Sequence, residues 1–215
     1  MASGGEDSIS NLHRSKLVGS VRTYVYTGAQ GLDLDAWFEG LRRGNSFVTS
    51  GPLVELKVDG SLPGEEITLP EGGGEVEVWG RVRSITPLEK VILVWNGEVV
   101  EEIPLSEDQR QADFKKSLRV TGSGWYHLRA EGAPSERHPL DIRYAQALTN
   151  PVWVMVGEEP VRSRAAAKYS IEWIDKLEAM AMEWPGWRSQ EEIDHVMAQF
   201  EEARQIFRRL GGEAQ

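Results

Sequence analysis

The chain has 215 residues, of which 34 are acidic and 24 are basic, so its formal net charge at pH 7 is −10. This charge repels phosphate backbones and anionic lipid headgroups, and no Lys/Arg-rich stripe offsets it locally, which argues against a nucleic-acid partner. A content of 40% hydrophobic and 27% charged residues is typical of a folded soluble protein and excludes disorder as a description of the whole chain.

The chain contains no cysteine, which excludes disulfides, thiolate zinc sites and a cysteine nucleophile. Its longest apolar stretches, such as residues 91–95 and 152–156, have the length of a strand and are far too short to span a membrane. The N-terminus lacks a basic region followed by an apolar one, so no signal peptide is visible. The sequence therefore predicts neither a membrane protein nor a recognisable secretory leader, and it leaves the compartment open.

The N-terminal region predicts one strand and one short helix. Residues 21–27 alternate β-branched and aromatic side chains as a strand does, but no hairpin partner follows. Asp33 is a good helix N-cap, apolar residues recur at helical spacing after it, and Gly44 stands where a C-terminal cap glycine is expected. We therefore expect a helix over residues 34–43.

Between residues 46 and 156 the hydrophobic pattern has a period of two, which predicts half-buried strands. The strongest local signal is Asn96-Gly97, because both residue types tolerate the positive φ of a two-residue type I′ turn between strands 90–95 and 98–103. About eight short strands separated by turns favour an antiparallel β-sandwich with an immunoglobulin-like layout.

After Pro160 the period becomes 3.6, which predicts a C-terminal helical hairpin. Ser163 caps the first helix, and Ser189 with Glu192 forms a capping box for the second, which ends at Gly211. The first helix carries a stripe of Tyr169, Trp173, Leu177, Met180 and Trp184 joined by Ile174 and Ala181, and the second a stripe of Ile193, Val196, Met197, Phe200, Ala203, Phe207 and Leu210. These faces are expected to pack on each other and on an outer face of the sandwich.

The predicted fold class is therefore α+β, with three segments. Residues 1–45 form the N-terminal strand and short helix, residues 46–158 form the antiparallel β-sandwich, and residues 159–215 form the helical hairpin packed on the sandwich.

No local pattern of catalytic or metal-binding residues stands out. The histidines at positions 13, 127, 138 and 195 form no close ligand pair, and His127 and His195 are best interpreted as surface or packing residues. Ser123 lacks the Gly-x-Ser-x-Gly elbow of a nucleophile, and the glycines at 72–74 precede a strand, whereas phosphate-binding glycines follow one. Both are interpreted as turns.

Trp79 is a possible binding surface. It alternates with Glu77 and Arg81 on an otherwise polar strand face, which indicates that something covers that face. Coverage by the C-terminal helices is the favoured interpretation, and a platform for a sugar or a peptide is the alternative.

Six runs stand in a fixed order along the chain: LDAW at 34–37, GNSFVTSGPL at 44–53, VDG at 58–60, PG at 63–64, VWNGEVV at 94–100 and TNPVWV at 149–154. Together they resemble the C-terminal part of the carbaryl-hydrolase-like branch of the PHP (polymerase and histidinol phosphatase) metallohydrolase superfamily. The resemblance implies a β-sandwich and a closing helical pair after a metal-binding barrel that this chain lacks. It also implies divalent metal in full-length relatives and at most one metal ligand here, Asp7, although Ile9 stands where a histidine would follow it.

The expected function is therefore a non-catalytic accessory C-terminal region resembling that of a PHP-type hydrolase, with no cofactor and no activity of its own. The alternatives are a β-sandwich module that binds carbohydrate or peptide, and a hydrolase subunit completed by a separate barrel chain. The expected partners are a PHP barrel chain or a second copy paired through the N-terminal strand. The sequence leaves open whether the chain is a fragment or a natural product, and which substrate a full-length relative takes.

Overall fold

The computed structural model describes residues 2–5, 19–28, 33–134 and 144–212. The elements are, in chain order, β1 (Arg22–Val25), α1 (Leu34–Arg43), β2 (Ser46–Thr49), β3 (Leu53–Val58), β4 (Glu66–Leu69), β5 (Gly74–Arg83), β6 (Lys90–Trp95), β7 (Glu98–Ile103), β8 (Gln111–Val120), β9 (Gly124–Pro134), β10 (Tyr144–Thr149), β11 (Val152–Val156), α2 (Arg164–Met182) and α3 (Gln190–Gly212). The chain divides into two compact units, residues 1–159 and residues 160–215, which we call the sheet unit and the helix unit. The fold class is α+β.

Helix α1 has the predicted bounds and caps. The Asp33 carboxylate accepts a hydrogen bond from the Ala36 N–H, which satisfies one of the free donors of the first turn. At the other end Gly44 has a φ of 81°, and its N–H donates to the carbonyls of Gly40 and Leu41. The capping residues alone therefore fix both ends of this helix.

The large sheet has eight strands and is centred on β9. One edge of β9 pairs with β6, and β6 pairs in turn with β7. The other edge of β9 pairs with two strands, with β11 at its N-terminal end and with β10 at its C-terminal end. Strands β10 and β11 are interrupted by Asn150-Pro151, where proline has no N–H to continue the ladder. The sheet forks at this break, because β2 and β1 extend it beside β10 whereas β4 extends it beside β11.

The sheet is mixed, so the expectation of an antiparallel arrangement throughout is wrong at one pair. Strand β4 runs parallel to β11, with Ile67 opposite Val154. A two-residue hairpin can join only antiparallel strands. In the sequence β4 lies between β3 and β5 of the small sheet, so no hairpin connects it to β11 and the pair can be parallel. The described residues between 46 and 156 form ten strands, and the short β4 and β10 were not among the strands expected from the pattern.

The small sheet has the order β3-β5-β8 and shares one apolar core with the large sheet. Phe114 on β8 lies in this core directly opposite Gly80 on β5. A Cβ at position 80 would lie 2.3 Å from Phe114 Cε1 and 3.2 Å from Leu128 Cδ2 of the large sheet. Glycine at this position therefore leaves the space that the Phe114 ring occupies between the sheets.

The Asn96-Gly97 hairpin is confirmed. Asn96 and Gly97 both have positive φ, 50° and 90°, as a type I′ turn requires. The Asn96 side chain also accepts a hydrogen bond of 3.0 Å from the Trp125 N–H, which fastens the turn to β9.

The helix unit consists of α2 and α3 packed on each other. The Ser163 hydroxyl caps α2 by accepting from the Ala166 N–H at 3.1 Å. At α3 the Ser189 hydroxyl accepts from the Glu192 N–H, but the Glu192 carboxylate accepts from the Arg188 N–H instead of completing the predicted box. Helix α3 ends at Gly212, one residue after the expected end.

The predicted stripe of α2 is confirmed only in part, at Ile174. Ile174 and Ala167 are the buried residues of α2, whereas Tyr169, Trp173, Leu177, Met180 and Trp184 remain exposed. On α3 the predicted stripe is half-buried between Ile193 and Phe207, and Leu210 is exposed. Between the helices Arg204 is buried and binds the carboxylates of Asp175, Glu178 and Glu201.

Candidate functional site

A cavity of about 300 Å³ lies in the sheet unit between β3 of the small sheet and β1 and β2 of the large sheet. We call it the edge groove, and its lining residues are Tyr24, Val25, Tyr26, Asn45, Ser46, Phe47, Val54, Glu55, Leu56, Lys57, Leu62, Pro63 and Thr149. Its volume is at the lower end of the range of small-ligand sites, and most of its lining is aromatic or aliphatic.

The edge groove follows the outer edge of β3. It contacts four successive residues of this strand, from Val54 to Lys57. Successive side chains point to opposite faces of a strand, so a cavity that contacts all four runs along the edge where the backbone N–H and C=O groups lie. Within the described part of the chain β3 pairs with β5 alone, and no described strand occupies this edge. The groove therefore offers about 13 Å of strand edge.

Aromatic side chains of β1 and β2 form the opposite wall. The rings of Tyr24 and Phe47 are stacked, with centroids 5.1 Å apart and planes 6° from parallel. Phe47 packs against the shared core, whereas 40% of Tyr24 and 59% of Tyr26 remain exposed. Phe47 therefore holds this wall against the core, and the exposed parts of Tyr24 and Tyr26 are accessible to a ligand.

Helix α1 and the turn after it hold this wall in place. A Cβ on Gly40 would lie 2.6 Å from Val25 Cγ1 and 2.7 Å from the Tyr26 carbonyl oxygen, so α1 contacts the end of β1 at this glycine. The Tyr26 N–H donates to the Asn45 carbonyl at 2.8 Å. The short helix therefore fixes the position of the end of β1 and of Tyr26, which follows it.

The polar groups at the base of the groove are already engaged by the protein. Asn45 Nδ2 donates to the Pro63 carbonyl at 2.7 Å, and Asn150 Nδ2 donates to Ser46 Oγ at 2.7 Å. Thr149 Oγ1 accepts from the Leu128 N–H at 3.0 Å. These bonds make the base rigid, so recognition depends on the strand edge and the aromatic wall.

Trp79, the surface residue singled out in the sequence, lies on the outer face of the small sheet and not in the groove. Its half-buried ring is flanked by Lys57 Nζ, 5.9 Å from the centroid, and by Arg81 Cζ, 5.3 Å from it. These two cations cover part of the tryptophan by cation–π contact. Coverage of this face by the C-terminal helices stays a prediction.

A second cavity, of about 400 Å³, lies on the outer face of the large sheet and includes His127 and Arg129. The His127 ring makes an edge contact with Trp125, with centroids 5.3 Å apart. Burial lowers the pKa of His127 below 6.5, and the positive charge of Arg129 lowers it further. His127 is therefore a neutral packing residue at pH 7, as the sequence indicated.

The other sequence candidates are not among the residues that line the groove. Ser123 Oγ donates to the Glu159 carbonyl and accepts from the Val156 N–H at 2.9 Å, which fits the turn interpretation. Gly72 and Gly73 have φ of 86° and 78° in the loop before β5. His195 is exposed on α3 and contacts Gln199 at 3.3 Å.

Asp7, the metal ligand implied by the resemblance, lies outside the described residues. Among the residues that the structure does describe, no group of three or more His, Asp or Glu side chains is placed to hold a metal ion. No helix in this part of the chain is long and apolar enough to cross a membrane.

The sequence did not identify the edge groove, although it identified some of its parts. The strand at 21–27 and the helix after it were predicted, but Tyr24 and Phe47 are brought together by pairing across 23 residues of sequence. The alternation of exposed tyrosines in a strand without a hairpin partner was the signal that could have drawn attention to it.

The chain matches no family model, no curated protein and no solved structure. The PHP-type interpretation therefore depends on the motif resemblance alone.

Proposed function

We propose that the sheet unit is a non-catalytic binding unit that holds an extended peptide segment of a partner protein in the edge groove. The observation that carries this proposal is the juxtaposition of the outer edge of β3 with the stacked Tyr24 and Phe47 rings. An unpaired strand edge is a template for another strand, and addition of a strand is a common mode of peptide recognition.

Main-chain hydrogen bonds to β3 provide affinity, and the side chains around the groove provide selectivity. On the inner side, Val54 and Leu56 belong to the shared core, so a peptide side chain directed inward meets apolar surface and the Tyr24 ring. On the outer side, Glu55 and Lys57 are exposed and carry opposite charges. We therefore expect an extended segment that alternates an apolar or aromatic residue with a charged one.

This proposal makes the chain an accessory unit whose ligand belongs to another protein. It is compatible with the role that the PHP resemblance implies, and a separate metal-binding barrel chain is the first natural partner to test. The competing proposal, a carbohydrate platform, depends on Trp79, which lies on the outer face of the small sheet beside Lys57 and Arg81.

The test is a selection of random nine-residue peptides displayed on phage against the purified chain, followed by titration of a fluorescein-labelled selected peptide. Binding measured by fluorescence anisotropy should weaken about tenfold or more in Tyr24→Ala, since loss of a central aromatic anchor costs more than about 1.4 kcal/mol. Val99→Ala is the control, because Val99 is an exposed apolar residue of β7 that does not line the groove, and it should bind as the wild type does.

Charge reversal gives a second readout. Peptides that carry an acidic residue on the outer side should bind the Lys57→Glu variant less tightly than the wild type. Peptides without such a residue should bind the two proteins equally tightly. Equal binding of all selected peptides to wild type and Tyr24→Ala would contradict the proposal. Binding on a glycan array that depends on Trp79 and not on Tyr24 would support the carbohydrate alternative.

A further inference from the structure

The helix unit presents an apolar stripe that is separate from the contact between its two helices. Tyr169, Trp173, Leu177 and Met180 of α2 follow one another at spacings of three or four residues, and Trp184 continues the row just after the helix. We call this row the α2 stripe. Its side chains are exposed, Tyr169 by 62%, Trp173 by 43% and Trp184 by 61%.

The helix unit buries little of its own surface. Of its described residues, Ala167, Ile174 and Arg204 are buried, and the last of these is charged. A pair of helices with such a small core needs additional apolar contact to be stable. Each of the five residues of the α2 stripe exposes 42% or more of its surface, and a contiguous apolar patch on a monomer is typically covered by a partner once it exceeds a few hundred Å².

The order of residues in the α2 stripe is close to palindromic. In the sequence, Tyr169 and Trp184 are equally far from the point between residues 176 and 177, and so are Trp173 and Met180. Leu177 lies next to this midpoint. When two such helices are placed antiparallel about a two-fold axis at this midpoint, Tyr169 of one faces Trp184 of the other. Trp173 then faces Met180, and Leu177 lies near its own copy.

Each of these pairings is chemically favourable. Aromatic pairs such as Tyr and Trp stack or meet edge to face, and a methionine sulfur makes favourable contacts with an aromatic ring. Lys176, whose ammonium lies 4.9 Å from the Trp173 centroid, has a flexible stem that can carry its charge to the rim of such a contact. Self-complementarity of one surface is the requirement for a two-fold symmetric dimer.

We propose that a second copy of this chain covers the α2 stripe, so that two helix units form an antiparallel four-helix bundle. Two copies of α2 lie at the centre of the bundle, and each α3 packs on the side of its own α2 that carries Ile174. This dimer is independent of the edge groove and differs from pairing through β1.

Sedimentation equilibrium of the full chain over a hundredfold range of concentration tests the proposal. The wild type should be a dimer that dissociates on dilution, and Trp173→Glu should be a monomer with unchanged helix content by circular dichroism. Ile206→Glu is the matched control, because Ile206 is an exposed apolar residue of α3 outside the stripe, and it should remain a dimer. A monomeric wild type, or a dimer that Trp173→Glu leaves intact, would overturn the proposal.

Cross-linking tests the symmetry, and the absence of native cysteine makes single-cysteine variants simple to interpret. Under mild oxidation Leu177→Cys should form a covalent dimer, because this position lies near its own copy at the axis. Tyr169→Cys alone should not form a covalent dimer, because residue 169 of one chain and residue 169 of the other lie about 22 Å apart along the helix axis. A mixture of Tyr169→Cys with Trp184→Cys should cross-link. Efficient cross-linking of Tyr169→Cys to itself would exclude the antiparallel arrangement.

Discussion

Replacement of Gly80 by alanine tests how the two sheets of the sheet unit meet. The added Cβ would lie 2.3 Å from Phe114 Cε1 and 2.7 Å from Phe114 Cζ, closer than nonbonded carbon atoms approach. Leu128 Cδ2 of the other sheet lies only 3.2 Å from the same Cβ position, so the added methyl group is crowded by side chains of both sheets. The substitution therefore forces either the ring or the strand to shift.

The magnitude follows from two opposed terms. Overpacking of a core typically costs about 1–3 kcal/mol, whereas replacement of a strand glycine by alanine recovers roughly 0.5–1 kcal/mol of conformational entropy. We expect a net loss of about 1–2 kcal/mol in the free energy of unfolding, which corresponds to a decrease in Tm of roughly 2–8 °C.

Urea unfolding of the full chain, followed by circular dichroism, measures this loss. Gly74→Ala on the same strand is the matched control, because its Cβ would lie at an ordinary 3.5 Å from Leu69 Cδ2. Gly80→Ala combined with Phe114→Leu should be less destabilised than the sum of the single variants, since the smaller side chain makes room. An unchanged urea midpoint for Gly80→Ala would refute the placement of the Phe114 ring opposite Gly80.

Two further predictions concern ionisable groups. Hydrogen bonds from Arg204 and then from Gln205 lower the pKa of Glu201 below 4.5. The helix unit should therefore lose stability as the pH falls from 4.5 through the folded pKa. In acid titrations followed by helical circular dichroism, Arg204→Met should show a smaller loss than the wild type, because its largest cause is removed while Gln205 remains. NMR titration should give His127 a pKa below 6.5, and the sheet unit should therefore lose stability as the pH falls below 6.5. Arg129→Gln should raise the pKa of His127 but leave it below 6.5, because burial lowers this pKa more than the charge of Arg129 does. A pKa of 6.5 in the wild type would show that the His127 ring is hydrated.

Local chemistry made some elements predictable from the sequence. Asp33 and Gly44 define α1 through bonds that these two residues make with backbone groups within four positions. Asn96 and Gly97 define their hairpin through φ angles that few other residues adopt. In each case the determining interactions lie within a few residues of sequence, so a pattern in the sequence suffices.

Interactions between distant segments could not be predicted in this way. Strand β4 has four residues and finds its parallel partner more than 80 residues later, so nothing near it in the sequence marks it as part of the large sheet. Arg204 looks like an ordinary surface residue with Glu201 one turn away, but Asp175 and Glu178 of α2 complete its surroundings. The edge groove is of the same kind, because it arises where β1 and β2 face the outer edge of β3.

Hydrogen–deuterium exchange with a selected peptide bound is the most direct test of the central proposal, that the edge groove receives an extended segment. If the peptide adds to β3, amides of residues 54–57 on the groove side should exchange more slowly in the complex, while those of β8, at the opposite edge of the small sheet, should not change. Saturating peptide that leaves β3 unchanged, or that protects β8 instead, would contradict the proposal.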